Sequence, residues 1–379
     1  MPDRKLPTLD LKRNYARVRE EIREAVDRVL ESQHFILGPE VKKLEGEVAA
    51  YLGVPQAVGC ASGTDALVLA LMALGVGPGD EVVTTPFSFF ATVSCITRLG
   101  ARAVFADIDP DTYNIRVEQV REKLSPRTKA VIPVHLFGQM VPLEELAPEL
   151  SERGIALVED TAQAFGACRR VEGGILRAGS VGDMGCVSFF PTKNLGAYGD
   201  GGMVTFLNED LAKKVKSLRV HGSTETYFHD VVGLNSRLDE IQAAILRVRL
   251  RHLEEWNEDR RQAAARYALL FREAGLLGKV RLPVEAPGNT HIYHQYVIRC
   301  EARDELQAHL ESKGISSRVY YPLCLHLQPC FRSLGYKEGD FPEAEQLSRD
   351  CLALPIFPEL EAGEQEWLVS EVSEFYRNR

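Results

Sequence analysis

The chain has 379 residues, 45% hydrophobic, 26% charged and 8% aromatic, an ordinary globular composition with enough apolar material for a large core and a length that suggests two domains. Lys plus Arg number 45 and Asp plus Glu 54, so the formal charge is −9, a poor field for a polyanion; nucleic acid is excluded as a partner, although a local cationic pocket for one small phosphate ligand is not. No apolar stretch follows Met1-Pro2-Asp3-Arg4-Lys5, and the longest apolar run, 66–74, is far short of a bilayer span, so a cytoplasmic protein without a membrane partner is expected. The eight cysteines (60, 95, 168, 186, 300, 324, 330 and 351) form no C-x-x-C, which indicates small buried hydrophobes, with no disulfide framework and no metal site.

In chain order, Val18, Ile22, Val26, Val29 and Leu30 fall at helical spacing over 14–31, and a second helix is expected after Gly38-Pro39. From about residue 57 a strand and helix rhythm sets in, with strands predicted at 81–85, 103–106, 129–134, 155–160, 185–189 and 203–207. Short apolar runs alternating with helices predict an α/β fold, a mostly parallel sheet covered on both faces. Residues 237–275 read as one long charged helical stretch with an apolar stripe of Leu238, Ile241, Ala244, Ile245, Val248 and Leu253. After Gly278 a strand at 295–300, a helix at 303–313, a strand near 315–319 and two further helices predict a small α+β unit. The expected domains are therefore 1–255 and 256–379.

In open α/β sheets ligands bind beyond the carboxyl ends of the strands, and four post-strand segments carry polar groups there. Cys60-Ala61-Ser62-Gly63-Thr64-Asp65-Ala66-Leu67 is a small-residue turn opening an apolar helix; it either seats a phosphate on free N–H groups or only caps the helix through Ser62 or Thr64. Glu159 and Asp160 end an apolar strand ahead of Gln163, and the alternation of a strand turns Asp160 and Glu159 to opposite faces. Lys193 follows another strand in a glycine-rich loop, Ser188 to Gly202, that can bring it back over the sheet edge. Phe87, Phe89 and Phe90 are core residues or supply a flat platform for a flat ligand. A phosphate seat, an aromatic plate, a carboxylate and a lysine are together what pyridoxal phosphate needs.

These segments resemble the DegT/StrS group of pyridoxal phosphate dependent nucleotide-sugar aminotransferases, of fold type I. The motifs are Gly38-Pro39-Glu40, Ser62-Gly63-Thr64-Asp65-Ala66-Leu67, Glu159-Asp160-Thr161-Ala162-Gln163, Ser188-Phe189-Phe190-Pro191-Thr192-Lys193-Asn194 and Gly233-Leu234-Asn235-Ser236-Arg237-Leu238-Asp239. The resemblance runs over nearly the whole chain. It implies a large domain with a mostly parallel seven-stranded sheet and a small C-terminal α+β domain. It also implies that Lys193 holds pyridoxal phosphate as an internal aldimine, Asp160 faces the ring nitrogen, Gln163 the ring hydroxyl and Phe89 the ring face. Gly63, Thr64 and Ser188 match phosphate ligands. Asn235 matches a residue reaching the phosphate from the neighbouring subunit, which implies a homodimer with composite sites.

The implied reaction takes an amino group from an amino acid donor, glutamate, and passes it to a keto nucleotide sugar, UDP- or dTDP-linked, for surface polysaccharide or amino-sugar synthesis. The loop after Lys193 and the run His221 to Asp239 look most like enzymes that aminate a 3-keto sugar, those making UDP-2-acetamido-3-amino-glucuronic acid being nearest. His221, Arg237, Tyr320 and Tyr321 are the substrate candidates. Val319-Tyr320-Tyr321-Pro322 stands where those relatives tend to carry His-Tyr-Pro, so Tyr320 replaces a histidine there. A 4-keto-sugar aminotransferase is the alternative; a dehydratase would carry histidine in place of Lys193, and a non-catalytic sugar-binding regulator would show a degraded pocket. Arg318 leaves ordinary amino-acid transamination open.

Overall fold

The computed structural model describes residues 5–225 and 227–379; the start of the N-terminus read above for an apolar leader, 1–4, lies outside them. Two helices come first, α1 (Leu11–Ser32), capped by the Asp10 carboxylate, and α2 (Pro39–Leu52), with proline at its first turn. The alternating region then gives β1 (Gln56–Cys60), α3 (Gly63–Ala73), β2 (Glu81–Thr84), α4 (Ala91–Arg98), β3 (Arg102–Phe105), α5 (Val117–Lys123), β4 (Thr128–Ile132), α6 (Leu146–Glu152) and β5 (Ala156–Asp160). A hairpin of β6 (Cys168–Val171) and β7 (Gly174–Arg177) precedes β8 (Met184–Ser188), β9 (Gly202–Phe206) and α7 (Glu209–Leu218).

Seven strands form one sheet in the order β1-β9-β8-β5-β4-β2-β3. β9 runs antiparallel to both its neighbours and the remaining pairs are parallel, so the expected mostly parallel sheet is present. Alternation sorts the strand residues cleanly. Val82, Ala130, Ile132, Val158 and Cys186 face a core with α3 and α4, whereas Val83, Val131 and Leu157 face a second core with α5 and α6. α3 is buried on nearly every side, which is why its sequence is apolar all round, not striped.

The stretch expected as one helix over 237–275 is two, α8 (Glu240–Leu250) and α9 (Leu253–Glu273). The break holds neither proline nor glycine and so left no local mark. Arg251 and His252, at the break, both bond Glu21 of α1. The expected boundary at 255/256 falls inside α9: Leu253 and Trp256 pack with the N-terminal helices and α8, while Ala263 to Phe271 enter a separate C-terminal core.

Two short strands, β10 (Ser223–Glu225) and β11 (Phe228–His229), lie between α7 and α8. The C-terminal part contains β12 (Val280–Arg281), β13 (Asn289–Thr290), β14 (Tyr296–Cys300), α10 (Arg303–Ser312), α11 (Pro342–Asp350), β15 (Cys351–Leu354) and α12 (Ala362–Arg377). β12, β14 and β15 form an antiparallel sheet, and β13 joins the hairpin β6-β7. The strand expected near 315–319 reduces to isolated bridges, Ile315 with Leu6 and Arg318 with Ala353, and β15 supplies the strand that pairs with β14. Among the described residues no helix is long and apolar enough to cross a membrane. Six cysteines (60, 95, 186, 300, 324 and 351) are buried.

Candidate active site

β1, β2, β5 and β8 run in the same direction, so the segments that follow them, 61–64, 85–92, 161–163 and 189–193, converge at one sheet edge. They enclose a cavity of about 390 Å3 lined by Ser62, Gly63, Thr64, Phe89, Asp160, Gln163, Ser188 and Lys193, with Tyr320 and Tyr321 arriving from the C-terminal part.

The α3 end of the cavity is built for close approach. The Ser62 hydroxyl accepts from the Asp65 N–H at 3.1 Å, capping the helix while the first-turn N–H groups have no partner inside it. A Cβ on Gly63 would lie 2.5 Å from the Ser188 Cβ, and one on Gly202 would lie 2.3 Å from the Ser62 carbonyl carbon. Only glycines let β8, β9 and the α3 N-terminus meet so tightly, which leaves a small, donor-rich concavity at the positive end of a helix.

Asp160 sits on the α3 side of the sheet at the end of β5 and is buried. Thr92 Oγ1 donates to its Oδ2 at 2.8 Å and the Ala162 N–H to its Oδ1 at 3.2 Å, with Ser88 Oγ 2.9 Å from Thr92 Oγ1. Burial pushes the carboxyl above its ordinary range, against the pull of the Thr92 hydroxyl, the Ala162 N–H and the Lys193 charge. Glu159 faces away, bonded to His135 Nε2 at 2.8 Å and to the N–H groups of Gly179, Val181 and Gly182.

Lys193 comes back over the edge from a turn closed by its own N–H to the Phe190 carbonyl, 2.8 Å. Burial pulls its amine down to about 8, and the nearby Asp160 limits the fall. Gln163 is locked: its Oε1 accepts from the Phe137 N–H at 3.0 Å and its Nε2 donates to Tyr321 Oη at 2.9 Å. The three neighbouring phenylalanines divide. Phe87 is buried edge-on to Tyr321, Phe90 stacks on Phe331, and the more exposed Phe89 lines the cavity.

Of the expected site residues, the cavity brings together Gly63, Thr64, Phe89, Asp160, Gln163, Ser188, Lys193, Tyr320 and Tyr321. His221, Asn235 and Arg237 do not line it, and His221 and Asn235 are exposed on this chain. Arg318 is exposed and also outside it. Sequence reasoning missed Ser88 and Thr92, although they lie in the aromatic segment already singled out. It also missed His294 and Gln295, which come from a loop about a hundred residues later with no motif of their own.

A pyridoxal phosphate fits these residues, because a helix-end cradle where no Cβ is tolerated, a buried carboxylate and a lysine share one cavity. The DegT/DnrJ/EryC1/StrS aminotransferase family matches residues 16–373. A pleiotropic regulatory protein of Geobacillus stearothermophilus is 51% identical over 98% of this chain and 99% of its own length. A UDP-N-acetyl-3-dehydro-alpha-D-glucosamine 3-aminotransferase of Acidithiobacillus ferrooxidans is 44% identical, covering 94% of both chains. Among solved structures, DesV of S. venezuelae in complex with a ketimine intermediate superposes with a TM-score of 0.93 at 40% identity, over 98% of this chain and 99% of that one. The chain belongs to the DegT/DnrJ/EryC1/StrS aminotransferase family of pyridoxal phosphate dependent transaminases.

Proposed function

We propose that the chain transfers an amino group from L-glutamate to the C3 keto carbon of a UDP- or dTDP-linked sugar. The observation that carries the reading is the meeting of Lys193, Asp160 and the Gly63-Ser188 cradle in one cavity. The 44% identical 3-aminotransferase supports the C3 position and the UDP sugar.

In this reading the N–H groups of Gly63 and Thr64 and the Ser188 hydroxyl hold the cofactor phosphate, Phe89 covers one ring face, and Gln163 meets the ring hydroxyl. Lys193 Nζ would hold the cofactor covalently. When bound, the cofactor supplies an electron sink for the electron pair left as a proton leaves the carbon beside the amine. Asp160, drawn to its ionised form by a protonated ring nitrogen, would keep the proton on that nitrogen, with Thr92 fixing its Oδ2. Lys193 Nζ, once free, would carry the proton from the donor carbon to the cofactor carbon, a role its lowered basicity suits. Tyr320 and Tyr321 border the space left for the sugar.

The protein acts as a homodimer in which Asn235 of each chain completes the other's phosphate seat. Exposed apolar side chains support an interface there: Tyr227, Phe228, Val231 and Val232 precede Asn235 in the chain, and Phe35, Ile36 and Leu37 surround the bridge from Ile36 to Asp239, four residues after it. His221 and Arg237, beside the same surface, meet the negative charges of the nucleotide sugar across that interface.

The test is to supply glutamate with UDP- and dTDP-linked 3-keto and 4-keto sugars and identify the aminated product by mass and NMR. Amination at C3 supports the reading; amination at C4 alone replaces it with the 4-keto alternative. Cofactor binding without any turnover would favour the regulatory role for which the 51% identical relative is named.

A further inference from the structure

A second, smaller cavity of about 90 Å3 adjoins the first and shares Thr192, His294, Gln295 and Tyr320 with it. Its far wall carries Arg260 of α9, 4% exposed. Among the described residues the guanidinium bonds only through Nη1, donating to the carbonyls of Tyr293 at 3.1 Å and Ile356 at 2.9 Å. Among the described residues no carboxylate lies within ion-pair distance of it; the acid acting on it most, Glu359, bonds Asn14 and Arg17 through Oε1, and its buried Oε2 reaches no partner, Arg260 included. A buried cation without a counter-ion is costly, and a donor fork left free at a cavity wall is a carboxylate recognition element.

Two neighbours complete the chamber. Among the described residues Gln295 Oε1 is buried with no hydrogen-bond partner and Nε2 makes no bond to the protein, so the amide can offer its Nε2–H groups to a carboxylate and its oxygen to an ammonium. His294 is held neutral by burial and by the charges of Lys193 and Arg260. Its Nδ1 lies 3.1 Å from Asn194 Oδ1; the Asn194 amide nitrogen already donates to Asn257 and to the Ile292 carbonyl, so Nδ1 carries the proton and Nε2 is left as an acceptor. The passage from Lys193 to Arg260 therefore runs from an amine and a hydrogen-bond acceptor to a cation, matching the ammonium and then the carboxylate of an amino acid.

We propose that Arg260, with Gln295, is the seat for a carboxylate of the amino acid donor, placed by the fold beside Lys193. The inference rests on the aminotransferase reading above. A uronic acid substituent on the acceptor sugar offers the same chemistry, and the test separates the two sources.

Arg260→Gln removes the charge and leaves a shorter polar side chain, Arg260→Lys keeps the charge, and Gln295→Leu removes a side chain that holds no protein partner among the described residues. Binding of glutarate and of glucuronate to the holoenzyme is measured by calorimetry, and the glutamate half-reaction is followed by cofactor absorbance. The proposal predicts that Arg260→Gln and Gln295→Leu raise the glutamate KM and weaken glutarate by about tenfold to a hundredfold, with kcat changed far less and Arg260→Lys partly rescued. Unchanged glutamate KM and glutarate affinity in both variants overturns it, as does a loss confined to glucuronate, which would assign the seat to the sugar. If wild type ignores glutamate and still binds glutarate through Arg260, the seat stands while the choice of glutamate as donor fails; if it binds neither, the seat falls as well.

Discussion

Lys193 and Asp160 are opposed by the same burial. It drives the amine down to about 8 and the carboxyl up, so both lean toward their neutral forms until a ring nitrogen bearing a proton comes to face Asp160. The neutral amine is the form that captures an aldehyde. The rate at which apoprotein takes up pyridoxal phosphate should therefore rise with pH and level off just above 8, not climb on toward the ordinary lysine value near 10.5; stopped-flow absorbance across that range checks it. Thr92 is a positioning residue, since it acts through Asp160. Thr92→Val should weaken cofactor binding by about tenfold or more, and Thr92→Ser should restore most of it. Motif residues such as Lys193 and Asp160 were legible because each follows a strand in a distinctive run. Thr92 was not, because a threonine in the first turn of a helix usually caps or packs, and only the fold shows that its hydroxyl reaches Asp160.

At the level of elements, the cavity depends on how α2, α3 and α8 are pinned at their ends. The buried Glu240 of α8 accepts from the N–H groups of Gly38, Glu40 and Val41, so a carboxylate from one helix caps the start of another. A Cβ at Gly38 would sit 2.7 Å from that carboxylate, which explains the glycine. Glu240→Ala should cost about 2–3 kcal/mol in chemical denaturation, more than an exposed cap. Gly63→Ala, by pushing Ser188 away, should lower cofactor affinity about tenfold or more while the fold persists, as read by fluorescence titration. Six of the sheet strands were readable as short apolar runs, since a strand covered on both faces has no polar alternation to hide it. The split of α8 from α9 was not readable, because contacts with Glu21 mark it and no breaker residue does.

For the whole molecule, the proposed homodimer would supply the outer half of the phosphate seat from the neighbouring chain. Asn235 is exposed and does not line its own chain's cavity, and several exposed apolar side chains, Val231 and Val232 among them, lie close to it in the chain. Lys193→Ala and Asn235→Ala should each abolish or cripple transamination alone. Mixed and allowed to exchange subunits, they should recover activity, because one site of each mixed dimer is then intact; no recovery despite demonstrated exchange would place Asn235 outside the site. The chain's family and chemistry were legible in five local motifs. The contribution of the C-terminal part, His294 and Gln295 above all, was not, since it depends on how distant loops fold over the sheet edge.

In this cavity Lys193 anchors the cofactor and carries the proton while the amine moves from donor to acceptor. The most direct measurement is the visible spectrum of the purified protein with pyridoxal phosphate, before and after glutamate, with 2-oxoglutarate assayed alongside, in wild type and in Lys193→Ala. The account predicts a yellow lysine-bound cofactor that bleaches with stoichiometric 2-oxoglutarate in wild type, and neither signal in the variant. A wild-type protein that binds the cofactor yet forms no 2-oxoglutarate would contradict glutamate as the donor, and a Lys193→Ala protein with an unchanged spectrum and full turnover would contradict the site itself.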